Sequence, residues 1–177
     1  MDIILDPPRG AAGIHLGVPV AEAERVLANL PGFLGPGVAR GVRGAAHFSG
    51  GLTIRAHEDG AGRVDAVEVY RPSDPSLNVI YKGVSIFGDG AERVEAALAR
   101  HLRLETVDDR LTVVAPDAFL ALGKSLSVYG NAIDSGFFES VVVAAPGYYD
   151  DVKQSQSPVV CGGPVAAPDP DGQGALF

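Results

Sequence analysis

The sequence predicts an α+β fold: two tandem repeats, each one helix packed on antiparallel strands, with the strands able to run on as one continuous sheet. Three observations predict it. Gly83 to Leu102, GVSIFGDGAERVEAALARHL, has a fainter copy at Gly13 to Leu30, GIHLGVPVAEAERVLANL. Both pass from a glycine through a short apolar strand start to an amphipathic helix containing Ala-Glu-Arg-Val. β-prone runs separated by turn residues follow each helix, the order expected when helices cover one face of an antiparallel sheet.

Taken in order, Ile3 to Leu5 reads as a strand stopped by Asp6-Pro7-Pro8, because proline brings no donor to a ladder. Ile14 and Leu16 alternate with His15 and Gly17 as a strand start. Pro19 opens a helix, with Glu22 near the positive end of its dipole. Ala23, Val26, Leu27 and Leu30 make its buried stripe, and Pro31-Gly32 ends it. Phe33 to Gly51 is glycine-rich and shows no clear period. Leu52 to His57 alternates with period two and Val64 to Tyr70 is β-prone, with the turn residues Asp59 to Gly62 between them, which predicts a hairpin. Arg71 to Ser76 is a polar, proline-bearing connector between the halves.

The second half restarts at Asn78 to Lys82. Asp89 with Glu92 predicts a capping box, and Ala91, Val94, Leu98 and Leu102 an apolar stripe. Arg103 to Val107 and Leu111 to Val114 read as strands, Phe119 to Leu122 as an apolar run of either type. Phe137 to Ala145 is the most strand-like segment, its Val141-Val142-Val143 suited to a central position covered on both faces. A single globular domain is expected over 1–152, its repeats at about 1–71 and 77–152, followed by a flexible Pro/Gly/Ser-rich tail at 153–177.

Charge and cysteine usage narrow the function. The 22 acidic residues against 14 basic ones give a net charge of -8, which argues against nucleic acid and anionic membrane as partners. The lone Cys161 leaves no intrachain disulfide, no basic n-region precedes an apolar stretch, and no apolar run is long enough for a bilayer. A cytoplasmic location is the expectation.

Catalytic signatures are weak. His57-Glu58-Asp59 is the densest run of proton-handling side chains, but neighbours on a strand face opposite ways. His15, His47, His57 and His101 have no metal-ligand spacing, so no metal and no cofactor is expected. Gly88-Asp89-Gly90 lacks the Gly-Lys-Ser of a phosphate loop, Asp108-Asp109 lacks a third ligand, and Ser140 stands in no nucleophile elbow. What remains is aromatic. Tyr148 and Tyr149 follow a turn beyond the last strand, and Tyr70 and Tyr81 flank the connector. Tyrosine suits interfaces, where it gives large contact area at low entropy cost. It equally suits closing the end of a core.

Gly-Ile-x-Leu-Gly before one helix, Tyr81-Lys82-Gly83-Val84 with Phe87-Gly88 before the other, and Phe138 to Asp150 resemble a family of uncharacterised actinobacterial α+β proteins, across most of residues 10–150. That resemblance implies no activity. In element order the chain also resembles the β-lactamase inhibitory proteins, which implies binding of a protein partner across a concave sheet. The chain departs from that pattern in showing no secretion signal, no disulfide-forming cysteines and no tryptophan, so the resemblance extends to the architecture and to no residue.

The sequence therefore points to a non-catalytic protein-binding module of inhibitor or immunity-like type, with Tyr148, Tyr149, Tyr70 and Tyr81 as binding residues. One alternative is a small-molecule binder or enzyme with a pocket between the repeats using His57 and Glu58. Another is a self-associating structural subunit.

Overall fold

Period-two burial writes most of this chain into strands. Thr53–Glu58 buries Ile54 and Ala56 and turns Thr53, Arg55 and His57 outward, as a strand with one covered face must. The computed structural model describes residues 1–36, 43–107, 111–128, 131–134 and 136–148. Asp108, Asp109, Tyr149, Cys161 and the 153–177 tail lie outside the described residues.

The first half runs β1 (Asp2–Asp6), β2 (Gly10–Ala11), β3 (Ile14–His15), α1 (Val20–Asn29), β4 (Phe33–Pro36), β5 (Ala45–Phe48), β6 (Thr53–Glu58) and β7 (Val64–Tyr70). The second runs β8 (Asn78–Tyr81), β9 (Val84–Ser85), α2 (Ala91–Leu98), β10 (Glu105–Val107), β11 (Thr112–Ala115), β12 (Leu120–Gly123), β13 (Ser125–Val128), β14 (Asn131–Asp134) and β15 (Ser140–Ala144). The molecule is mixed α and β with strands predominating. Those strands do not form one continuous sheet. An eight-stranded sheet has the order β10-β11-β12-β15-β7-β6-β5-β4, a five-stranded sheet the order β3-β2-β1-β8-β9, and β13 and β14 pair as a separate hairpin.

Every pairing in the wide sheet is antiparallel, and its centre is the β7–β15 ladder. The parallel pair is β1 with β8, which ties the N-terminal strand to the start of the second half. On one face of the wide sheet Ile54, Ala56, Val67, Val69, Val141, Val143, Leu120 and Leu122 are all at most 1% exposed. Burying each Val, Leu or Ile side chain contributes about 1.5–3 kcal/mol before entropy is set against it. Helix α1 packs on β4, β5 and β6 through Val20, Ala23 and Leu27, while Val26 and Leu30 sit partly buried beside them. Helix α2 packs on β9 and buries Ala91, Val94 and Leu98.

Three expectations change. The glycine-rich stretch from Phe33 contains β4 and β5, which no period announced because Gly35 and the alanines dilute it. The capping box is absent: Gly90 is the N-cap of α2, no side chain caps it, and Asp89 instead lies 3.6 Å from Arg93. The helix begins one residue later than the box requires, so Asp89 precedes the N-cap and its carboxylate faces Arg93 in the first turn. Val141 and Val143 are fully buried in the central strand, but Val142 is partly exposed, so β15 is not covered throughout on its second face. Among the described residues, no helix is long and apolar enough to cross a membrane.

Candidate functional site on the outer face of the wide sheet

The face turned away from the buried valines carries the chemistry. The β6–β7 turn is held by Asp59, whose Oδ1 accepts the N–H groups of Ala61 at 2.8 Å and Arg63 at 2.9 Å. That turn sets a register with Thr53 opposite Tyr70, Arg55 opposite Glu68 and His57 opposite Ala66. Directly opposed residues share a face, so Thr53, Arg55, His57, Glu68 and Tyr70 stand together, continued on β15 by Ser140 and Val142.

Glu68 is the hub. Its Oε2 accepts the Tyr70 hydroxyl at 2.8 Å and lies 3.1 Å from His57 Nε2. A carboxylate only accepts, so Nε2 carries a proton in this pair. Burial raises the Glu68 carboxyl, but the hydrogen bonds from His57 and Tyr70 and the charges of His57 and Arg55 outweigh it and hold it below its ordinary value. Tyr70 is pushed up to about 12, first by burial and then by its bond to Glu68 and that residue's charge. Both shifts move these groups away from neutrality. Near pH 7 the pair is a fixed carboxylate and a fixed phenol, suited to presenting hydrogen bonds and poorly suited to passing protons.

Tyr148 joins from the turn after β15. Its ring meets His57 edge-on, with centroids 6.0 Å apart and planes at 74°. Burial raises its hydroxyl, and the charges of Asp65 and Glu68 raise it further. Asp65 is there because the ladder slips: His57 faces Ala66 and Glu58 faces Val64, which leaves Asp65 as the extra residue of a β-bulge. Its carboxyl is raised chiefly by burial and lies within electrostatic reach of His57.

The structure thus brings together Tyr70, Tyr148 and His57, which the sequence offered under two separate readings. Glu58 does not join them; it turns at the bulge to within 3.8 Å of Arg43. Tyr81 is 6% exposed, its ring in the core with Lys82 Nζ 5.4 Å from its centroid. Tyr149 lies outside the described residues. Sequence reading passed over Glu68, Arg55 and Asp65. The hairpin register held the signal for the first two, since closing the turn at Asp59 to Gly62 brings Glu68 beside Arg55 and diagonal to His57.

Elsewhere the chemistry is thinner. A cavity of about 220 Å³ lies at the connector, lined among others by Arg71, Ser73, Asn78 and Phe87, but Arg71 is held by Glu139 at 3.0 Å and stacks 4.1 Å over Phe137. A second, of about 210 Å³, lies between β1 and the β2–β3 turn. Neither is lined by His57 or Glu58. Among the described residues, no three His, Cys, Asp or Glu side chains are placed to hold a metal ion. Compared with protein-family models, with curated proteins and with solved structures, the chain matches nothing.

Proposed function

We propose that this chain is a non-catalytic protein-binding module whose contact surface is the outer face of the eight-stranded sheet. One observation carries the reading: Arg55, His57, Glu68 and Tyr70 stand on adjacent strands of that face, Glu68 is hydrogen-bonded to both His57 and Tyr70, and the Tyr148 ring meets His57 edge-on. Pre-organised aromatic and charged side chains lose little freedom on association, which favours affinity. An inhibitor or immunity-like role fits a surface that is rigid before its partner arrives. Action in the cytoplasm belongs to the same proposal, on the strength of a single cysteine in 177 residues.

The chain also reads as a duplicated unit. Strands β4 to β7 fill one side of the wide sheet in sequence order, and β10, β11, β12 and β15 fill the other in reverse, so that the last strand of each half meets at the centre. Each set follows a helix that opens after a glycine-led strand start.

The test is capture by the purified protein, comparing wild type with Tyr148→Ala/Tyr149→Ala and with Tyr70→Ala, followed by affinity measurement on any protein captured by wild type. The reading expects a partner whose affinity falls at least about tenfold in both variants, a modest hot-spot loss. Equal recovery of every protein by all forms defeats it. Concentration-dependent light scattering identifies a second copy of the chain as the partner.

A further inference from the structure

The cavity at the connector holds groups that the outer face does not use. Its walls are fixed by main-chain bonds: the Gly50 carbonyl accepts the Ser73 N–H at 2.8 Å and the Asp74 N–H at 2.9 Å, and the Met1 carbonyl accepts the Asn78 N–H at 3.0 Å. Arg71 gives Nη1 to Glu139 and lies 4.1 Å from the Phe137 ring centroid, which orients the guanidinium without spending it. Several N–H donors remain on that group, and the side chain is 30% exposed. The Ser73 and Ser85 hydroxyls also line the cavity, and neither makes a hydrogen bond among the described residues. A Cβ added at Gly88 would stand 2.6 Å from Ser85 Oγ, so glycine there leaves the hydroxyl its room. Asn78 gives Nδ2 to Asp2 at 3.2 Å and keeps its amide oxygen as an acceptor.

Charge specifies the ligand class. Arg71 and Asp74 line the same cavity, yet Arg71 pairs with Glu139 and not with Asp74. Asp74 Oδ1 accepts the Ser76 N–H at 2.8 Å, a bond that holds the carboxyl below its ordinary value and so ionised at pH 7. A simple acid would meet the Asp74 carboxylate, and a simple amine would meet the Arg71 guanidinium. A molecule carrying both charges offends neither, and Pro72, Leu77 and Phe87 supply apolar wall for its body. The volume of about 220 Å³ is small for a ligand pocket, so that body is small as well. We infer that this cavity binds a free α-amino acid with a small aliphatic side chain, its carboxylate accepting from Arg71 and the serine hydroxyls and its ammonium donating to Asp74 and the Asn78 amide oxygen.

The experiment is an NMR titration of the full chain with L-valine, with L-valine amide, which lacks the carboxylate, and with N-acetyl-L-valine, which lacks the ammonium. The expected result is saturable movement of the Ser73, Asn78 and Ser85 signals by L-valine while His57 stays in place, with each derivative binding at least about tenfold more weakly. Asp74→Asn should weaken L-valine by a similar factor; asparagine can still accept the Ser76 N–H, so the turn is kept. Ser85→Ala should weaken it by about three- to tenfold, the worth of one hydrogen bond. Glu105→Gln on the exposed β10 strand should leave binding unchanged. Absence of saturable movement at Ser73, Asn78 and Ser85, or equal binding of either derivative, overturns the inference without recourse to any variant. Wild-type affinity in a folded Asp74→Asn overturns it as well.

Discussion

Glu68 holds His57 at 3.1 Å across the β6–β7 ladder although the register sets Arg55, not His57, directly opposite it. The contact is a diagonal one, reached because both side chains lean along their strands on the same face. It places a charge-assisted hydrogen bond at the middle of the wide sheet's open side, with the Tyr70 hydroxyl on the same carboxylate oxygen. Removing the charge tests how much the cluster depends on it. Glu68→Gln is expected to cost about 1–2 kcal/mol in chemical denaturation. It should also bring the Tyr70 hydroxyl back toward its ordinary value in a tyrosinate absorbance titration. An unchanged Tyr70 titration would show that burial alone holds the phenol.

Tyr70 sets an alkaline limit and Glu68 an acid one. The folded protein keeps the Tyr70 proton up to about 12, whereas the unfolded chain loses it near 10.0. That contribution is complete below pH 10.0 and is lost as pH rises through about 12. Glu68 is depressed below 4.5, so its contribution is complete above pH 4.5 and is lost as pH falls through its folded-state value. Denaturation midpoints followed across pH should show a plateau between the two, and Tyr70→Phe should flatten the alkaline side. An alkaline fall of the same size in Tyr70→Phe would assign it to other groups.

Asp65 runs in the opposite sense. A carboxyl raised by burial contributes stability only while protonated, so at pH 7 its ionised form weakens the fold. Asp65→Asn is expected to raise Tm at pH 7, and the advantage should shrink to nothing as pH falls below the ordinary 3.8. A lower Tm at pH 7 would mean that the carboxylate is better supported than its surroundings imply.

Gly44 closes the route into β5. Its φ is +76°, and a Cβ added there would press on the Ala56 carbonyl oxygen and sit 3.2 Å from Val20 Cγ2. Its carbonyl also accepts the Ala56 N–H at 2.9 Å, so the backbone cannot simply move aside. Gly44→Ala is expected to cost more than about 2 kcal/mol, measured by urea unfolding. A loss within 0.5 kcal/mol, the range of about ±0.5 typical of surface changes, would contradict the close approach.

Both helices and the β6–β7 hairpin were legible because their signals are local. Ala23 and Leu27 repeat at helical spacing, and the alternation of Leu52 to His57 needs no knowledge of its neighbours. The parallel β1–β8 pair was not legible, since nothing near Ile3 announces a partner at Val79. The site was half legible for the same reason. His57 and the tyrosines stood out by residue type, while Glu68 acquires its role from a register and Asp65 from a one-residue slip within it. Asp89 misled by one position: the N-cap falls on Gly90, which leaves Asp89 just outside the helix and 3.6 Å from Arg93.

The central claim is that a partner docks on the face carrying His57, Glu68 and Tyr70. NMR spectra of the His57, Tyr70 and Tyr148 side chains, recorded with and without a captured protein, test it most directly. The account predicts that these three sets of signals move together while Tyr81, in the core, stays in place. Movement confined to the exposed Leu34 on β4 or to the Arg71 cavity, with His57 and Tyr70 unmoved, would contradict it.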